Sequence, residues 1–237
     1  MSVNKSDTKS ESVPIRSIGF IMDGNRRWAR AQGRTTLEGH KRGGEVFVES
    51  IDWVSEAGIP HAVYYAFSTE NWRRSKEEVS YLMELFAVWL KEAGKKVAEK
   101  EAAIKFIGRR EDFSAKLQTL MNDLEIKSKQ IKFPKTIIWI ALSYGGRAEI
   151  VAAANRAIGR GEMVTEETLR KYLWSADLPD LDLIVRTGGE QRLSNFMTWH
   201  SVYSELLFLD TYWPALTKSD FDGILKAYAS RERRKGK

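Results

Sequence analysis

Six short apolar runs, many of their residues β-branched, alternate along the chain with longer stretches of helical periodicity. This alternation constrains the fold more than any other feature. The runs are Ser17–Met22, His61–Phe67, Ile104–Gly108, Thr136–Leu142, Leu181–Val185 and Leu206–Leu209. Between them, helical patterns cover about Asn25–Gln32, Lys41–Ala57, Lys76–Lys100, Ser114–Lys129, Arg147–Ile158 and Glu166–Leu173, with a last one near Ser219–Ser230. Strands that alternate with helices predict βαβ units and a mostly parallel sheet covered by helices. There is no internal repeat, low-complexity block or Pro/Gly-rich linker. The expectation is one α/β domain over residues 16–237, with a mostly parallel six-stranded sheet, after a flexible polar tail over residues 1–15.

Composition removes several functional classes. The chain has 237 residues, 43% of them hydrophobic, enough for a substantial core. It has no cysteine, which excludes disulfides, thiolate nucleophiles and cysteine zinc sites and suits a reducing compartment. No run approaches the roughly 20 apolar residues that span a bilayer, and the first fifteen residues contain no apolar signal-peptide core. A cytoplasmic protein is expected. The formal net charge is +6, of which the segment Arg231–Lys237 supplies +4 from five basic residues and one acidic residue. The other arginines are more informative, because many sit in Gly-containing turns and point to an anionic ligand.

The pattern over Lys76–Lys100 is the strongest helix. Val79, Leu82, Met83, Phe86, Trp89, Leu90, Ala93 and Val97 form one broad apolar face. Spacing alone favours packing of this face on the sheet; the alternative is that part of it lines a tunnel for an apolar ligand.

In open parallel sheets, ligands bind outside the carboxyl ends of the strands. Four of the six runs lead there into polar or Gly-rich turns: Met22-Asp23-Gly24-Asn25-Arg26-Arg27-Trp28-Ala29, Ser68-Thr69-Glu70-Asn71-Trp72-Arg73-Arg74, Ser143-Tyr144-Gly145-Gly146-Arg147 and Arg186-Thr187-Gly188-Gly189-Glu190-Gln191-Arg192-Leu193-Ser194-Asn195. A helix starting after Gly24 presents free N–H groups and a positive dipole end, and Arg26 and Arg27 add charge. Asp23 fits either as the cap of that helix or as a Mg²⁺ ligand bridging to diphosphate. The Arg186–Ser194 turn reads as a second anion site. Two anion sites on one sheet edge imply two phosphorylated substrates, and neither a GxxxxGK[ST] loop nor GxGxxG is present. The three histidines are far apart and form no zinc pair; of them only His40, beside Gly39 near the first turn, is a candidate for a functional role.

These segments, with Gly39-His40-Lys41, Tyr65-Ala66-Phe67-Ser68-Thr69-Glu70-Asn71-Trp72, Arg192-Leu193-Ser194-Asn195-Phe196 and Tyr203-Ser204-Glu205-Leu206, resemble the cis-prenyltransferases of the undecaprenyl diphosphate synthase type from about Ile18 to the C-terminus. The resemblance implies condensation of isopentenyl diphosphate onto an allylic diphosphate, such as farnesyl diphosphate, with Mg²⁺, and an apolar tunnel between sheet and helices for the growing chain. By position, Asp23 would hold Mg²⁺. Gly24, Asn25, Arg26, Arg27, Trp28, His40 and Arg74 would surround the allylic diphosphate. Arg186, Arg192 and Ser194 would bind the diphosphate of isopentenyl diphosphate. Ser68 and Asn71 would assist proton removal and alignment, Trp72 would pack near the reacting carbons, and Glu205 would support the metal and dimer contacts.

The resemblance also implies a homodimer in which Arg234-Lys235-Gly236 reaches across the interface, with peripheral membrane contact through the lipid product. One departure stands at Thr36, where many relatives carry an Arg, with Arg34 as the nearby substitute. Trp89, Trp139 and Leu142 are candidates for the tunnel floor that sets product length, for which a long product of the undecaprenyl kind is expected. The rival readings are a short-chain synthase, a non-catalytic partner subunit of the same fold, and a basic nucleic-acid-binding protein. No RRM, KH or helix-turn-helix signature supports the last, and no nucleic-acid partner is expected.

Overall fold

The computed structural model describes residues 15–231; the expected tail up to residue 14 and the Arg234-Lys235-Gly236 ending lie outside the described residues. Six strands, β1 (Ser17–Ile21), β2 (His61–Ser68), β3 (Ala103–Ile107), β4 (Ile137–Tyr144), β5 (Leu183–Arg186) and β6 (Glu205–Phe208), form one sheet in the order β3-β4-β2-β1-β5-β6. Every neighbouring pair is parallel. The helices are α1 (Asn25–Ala31), α2 (Thr36–Glu56), α3 (Lys76–Glu99), α4 (Ala115–Ser128), α5 (Gly146–Gly159), α6 (Glu166–Tyr172) and α7 (Lys218–Ala229). The α/β single-domain architecture and its six-stranded parallel sheet are as the alternation predicts.

Strand alternation divides the core in two. Ile18, Phe20, Tyr64, Ile138, Ile140, Leu183 and Val185 face a large cluster built with α2, α3, α4 and α7. Ile21, Val63, Trp139, Ala141 and Ile184 face a smaller one built with Leu178, Phe196 and Met197. Each fully buried Ile, Leu or Phe contributes roughly 1.5–3 kcal/mol, so the strand register is fixed by both faces at once.

Most element ends fall within a residue or two of the expected ones. The exception is α2, which begins at Thr36, five residues before the expected Lys41. The cause is a capping box: Glu38 N–H donates to Thr35 Oγ1, and Glu38 Oε2 accepts from Thr35 N–H. The extra turn sets Gly39 and His40 inside the helix. Further along, a Cβ on Gly43 would lie 2.0 Å from Asn25 Oδ1 and one on Gly44 1.8 Å from the Trp89 ring. Two glycines in a helix interior cost about 1 kcal/mol each, and here they let α1 and α3 approach α2 against its backbone.

Candidate active site

All four polar turns emerge at the carboxyl edge of the sheet, around the end of β1, which lies between β2 and β5. The first turn has Gly24 at φ 107°, a left-handed conformation suited to glycine, and a Cβ there would strike the Tyr212 side chain at 2.7 Å. Asp23 follows β1 and joins the first turn to the fifth strand's. Its Oδ1 accepts from Gly24 N–H at 2.7 Å and lies 3.2 Å from Arg27 Nη2. Its Oδ2 accepts from Arg186 Nη2 at 2.8 Å. Burial pushes the Asp23 carboxyl up, but the Arg186 hydrogen bond and charge, the Arg27 charge and the Gly24 N–H together hold it below the ordinary carboxylate value. Asp23 is an anion in a ring of cations. The side-chain cap reading fails, because the residue at the cap position of α1 is Gly24, without a side-chain bond.

Arg186 is 4% exposed. Besides Asp23, its guanidinium donates to Ser194 Oγ at 2.7 Å and to the Arg192 carbonyl. Its Nε is buried without a partner. Arg27 bridges the same two turns from the other side, donating to the Gly188 carbonyl at 2.7 Å.

Two adjoining cavities open here and share Met22, Asp23, Asn25, His40 and Arg74. One, of about 550 Å³, is lined by Arg26, Arg27, Arg30, Arg34 and Arg74, with Asp23 the single carboxylate on its wall. The other, of about 560 Å³, has Ser68, Asn71, Arg186 and Ser194 at its polar part and runs between the sheet and α2/α3. Its apolar walls are Phe47 on α2, Leu82, Phe86, Trp89 and Leu90 on α3, and Ile140 and Leu142 on β4. The apolar face of α3 thus does both things its spacing allowed: its first half borders the cavity, while Ala93 and Val97 are packed in the core.

Second contacts fix the polar groups. Glu78 Oε1 lies 3.0 Å from His40 Nε2 and accepts from Arg74 Nη1 at 3.2 Å, tying α2 to α3 beneath the cradle. Burial is the main cause that holds His40 below its ordinary value, with Arg74 and Arg26 adding to it against the Glu78 bond, so the ring is neutral. Asn71 Oδ1 accepts from Ser68 N–H at 3.1 Å, folding the 3-10 turn Thr69–Arg73 back on the end of β2.

Several expected residues stand elsewhere. Trp28 lines neither cavity; Arg34 lies over its ring at 5.4 Å. Trp72 also lines neither cavity: it packs on Phe67 and Phe113 and donates from Nε1 to Ser143 Oγ at 2.8 Å. It supports the turn from behind. The Arg192 side chain is held by Glu190 at the exposed rim. Glu205 begins β6 in register with Leu183, while Arg186 is level with Phe208. It therefore lies at the opposite end of the strand from the Asp23 edge and bonds Arg231 at 2.7 Å; within one chain it is not a co-ligand of Asp23. Trp139 points into the other core cluster and donates to His61 Nδ1, so of the floor candidates only Trp89 and Leu142 border the cavity. Arg30 and Glu78 were missed. Arg30 follows Arg26 by four and Arg27 by three, one helix face, but only the tertiary structure shows Glu78 beneath His40.

Among the described residues no group of three or more His, Cys, Asp or Glu side chains is placed to hold a metal ion. A lone carboxylate fits one metal chemistry, that of Mg²⁺, which is commonly held by one or two carboxylates with substrate phosphates completing its shell. Asp23, ionised and 33% exposed at the mouth of both cavities, meets that requirement.

The family model described as "Putative undecaprenyl diphosphate synthase" matches residues 21–236. An isoprenyl transferase of Thermotoga maritima is 42% identical over 92% of this chain and 95% of its own length. The Pyrococcus horikoshii tritrans,polycis-undecaprenyl-diphosphate synthase (geranylgeranyl-diphosphate specific) is 40% identical over 97% of this chain and 89% of its own. Among solved structures, lavandulyl diphosphate synthase from Lavandula x intermedia, in complex with dimethylallyl diphosphate, superposes with a TM-score of 0.89 at 29% identity, covering 94% of this chain and 99% of that one. A "probable undecaprenyl diphosphate synthase" from Campylobacter jejuni gives 0.79 at 33% identity, with coverage of 94% and 99%. The chain belongs to the undecaprenyl diphosphate synthase family of cis-prenyltransferases.

Proposed function

We propose that this chain condenses isopentenyl diphosphate repeatedly onto an allylic diphosphate, with farnesyl diphosphate as primer, and releases a long polyprenyl diphosphate of the undecaprenyl kind. One observation carries the reading: a mouth bearing two separate cationic turns opens directly into an apolar cavity of about 560 Å³. That combination suits a diphosphate head with a hydrocarbon tail and a second diphosphate beside it.

In this reading the arginine cradle on α1 binds the allylic diphosphate and stabilises the charge that develops as it leaves. Arg186 and Ser194 hold the diphosphate of isopentenyl diphosphate. Ser68 and Asn71, at the end of β2, align the isopentenyl unit and assist removal of its proton. Asp23 would hold Mg²⁺, which when bound supplies further charge neutralisation at diphosphate. The α3 wall shields the reacting carbons from water, and Trp89 and Leu142 limit how far a product extends.

Homodimer formation is proposed from the exposed apolar side chains Val151, Val202 and Tyr203 and from β6, which among the described residues pairs with β5 alone and forms an edge of the sheet. A cytoplasmic location is proposed from the cysteine-free sequence. No helix among the described residues is long and apolar enough to cross a membrane, and membrane contact is assigned to release of the lipid product.

The test is incubation with Mg²⁺, labelled isopentenyl diphosphate and farnesyl, geranyl or dimethylallyl diphosphate, followed by product sizing. Label is expected in a long polyprenyl product from farnesyl diphosphate. No incorporation with any primer sinks the condensation reading, and products that stop after one or two additions replace the long-chain assignment with a short-chain one.

A further inference from the structure

Behind the second cationic turn, a line of polar side chains runs through the core on the face of the sheet away from the apolar cavity. Asp180 Oδ1 lies 3.1 Å from His200 Nδ1, and His200 Nε2 lies 2.8 Å from Ser175 Oγ. Ser175 Oγ lies 2.6 Å from Glu149 Oε1, and the Tyr144 hydroxyl meets the other Glu149 oxygen. His200, Ser175, Glu149 and Tyr144 are all fully buried. The order of groups resembles a charge relay, but a serine sealed from solvent has no substrate to attack.

Ser175 Oγ donates to Glu149 Oε1, which also accepts from Ser175 N–H at 2.9 Å. His200 bridges Ser175 and Asp180 with its two ring nitrogens. Burial holds His200 below its ordinary value and Glu149 above. Such a chain is costly to bury and is rigid once every member is satisfied.

The segment that carries Ser194 depends on this line. Ser194, Asn195 and Met197 have φ of 49°, 65° and 45°. Left-handed conformations of this kind cost of the order of 1–3 kcal/mol each and persist where the surroundings over-determine them. At one end the first turn of α5 grips the segment: Gly146 N–H donates to the Asn195 carbonyl at 2.7 Å and Arg147 N–H to Asn195 Oδ1 at 2.9 Å. At the other end His200 N–H donates to the Met197 carbonyl at 2.9 Å, and its ring is fixed through Ser175 to Glu149 on that same turn of α5.

We propose that Asp180, His200, Ser175 and Glu149 are positioning residues for the isopentenyl diphosphate site: they hold the Ser194–Met197 segment so that Ser194 Oγ stays in register with Arg186. The inference rests on the condensation reading above. None of the four touches substrate, and the Asp23–Arg34 cradle is outside their reach.

Steady-state kinetics and calorimetric binding with Ser175→Ala and Asp180→Asn test this. Asp180 is 55% exposed, so its variant keeps the fold. In Ser175→Ala, KM and Kd for isopentenyl diphosphate are expected to rise about tenfold, the scale of supporting contacts behind a binding group. KM for the allylic diphosphate and kcat at saturation stay unchanged, and Asp180→Asn shows a smaller shift of the same kind. Added to Ser194→Ala, Ser175→Ala is expected to have no further effect. Parallel rises for both substrates, an unchanged Kd with a lowered Tm, or full additivity with Ser194→Ala each overturn the proposal. Wild-type protein that binds isopentenyl diphosphate without incorporating it sinks the condensation reading instead, while the binding shift still decides the network.

Discussion

The two cationic turns are built by different physical means. The cradle on α1 is built from charge: Arg26, Arg27, Arg30 and Arg34 come from one short helix and the turn after it, and Arg27 is 40% exposed. The turn after β5 is built from geometry: one guanidinium, 4% exposed, is locked between Asp23 and Ser194, on a segment whose backbone is itself strained. Exposed charge attracts from a distance and tolerates change, because water and salt screen it. A buried charge locked by several partners discriminates and tolerates little, because its loss strands those partners.

Asp23 is the one carboxylate on the walls of both cavities, so its removal is the largest expected effect. Asp23→Ala should lower kcat by about 10²–10³-fold, the scale of a lost group that stabilises developing charge. It also leaves Arg186 buried without its carboxylate, so Tm falls while the circular dichroism spectrum stays that of the folded chain. Near-normal incorporation of label in this variant would remove Asp23 from the reaction and from the metal assignment.

A matched pair of variants then sharpens the contrast. Arg186→Lys keeps the charge but loses the fork that spans Asp23 and Ser194, and the KM for isopentenyl diphosphate should rise roughly 30-fold or more, as for other broken buried charge pairs. Arg30→Ala should raise the allylic KM only about threefold, in line with exposed charges. Raising the salt concentration should weaken allylic binding more steeply than isopentenyl diphosphate binding. Equal salt slopes at the two sites would erase the distinction.

The smallest effect is acid sensitivity. His40 beside the first site, His61 at the start of β2 and His200 behind the second site are all held below the ordinary value of 6.5, chiefly by burial. A histidine depressed in the fold binds fewer protons there than in the unfolded chain. Its contribution to stability is therefore complete above pH 6.5 and is lost as pH falls through the folded value. Tm should be flat above that pH and decline below it, and His200→Gln should flatten the decline; a Tm that rises on acidification contradicts the neutral assignment.

Much of this was legible in the residues alone. Short continuous apolar runs and period-3.6 patterns marked the strands and helices, because burial on both faces of a parallel strand demands continuous apolar runs. The four polar turns were recognisable because a parallel sheet puts every strand's carboxyl end on one edge. The start of α2 was also there to be read in Thr35 and Glu38. Other assignments depended on direction. Trp139 and Leu142 are three residues apart on one strand, so they face opposite sides, and only packing decided that Leu142 faces the cavity. The resemblance implied support of the metal by Glu205, but strand register carries it to the end of β6 away from Asp23.

The sequence by itself therefore determined which elements form, where their carboxyl ends gather and which charges stand there, since these follow from local periodicity and the rules of parallel sheets. Tertiary structure alone decided that Asp23 joins the two turns, that Glu78 underlies His40 and Arg74, and that His200 meets Ser175, and Ser175 meets Glu149, behind the Ser194 segment. Those contacts link residues far apart in the chain, and a hydrogen bond between them depends on how side chains converge after the helices pack.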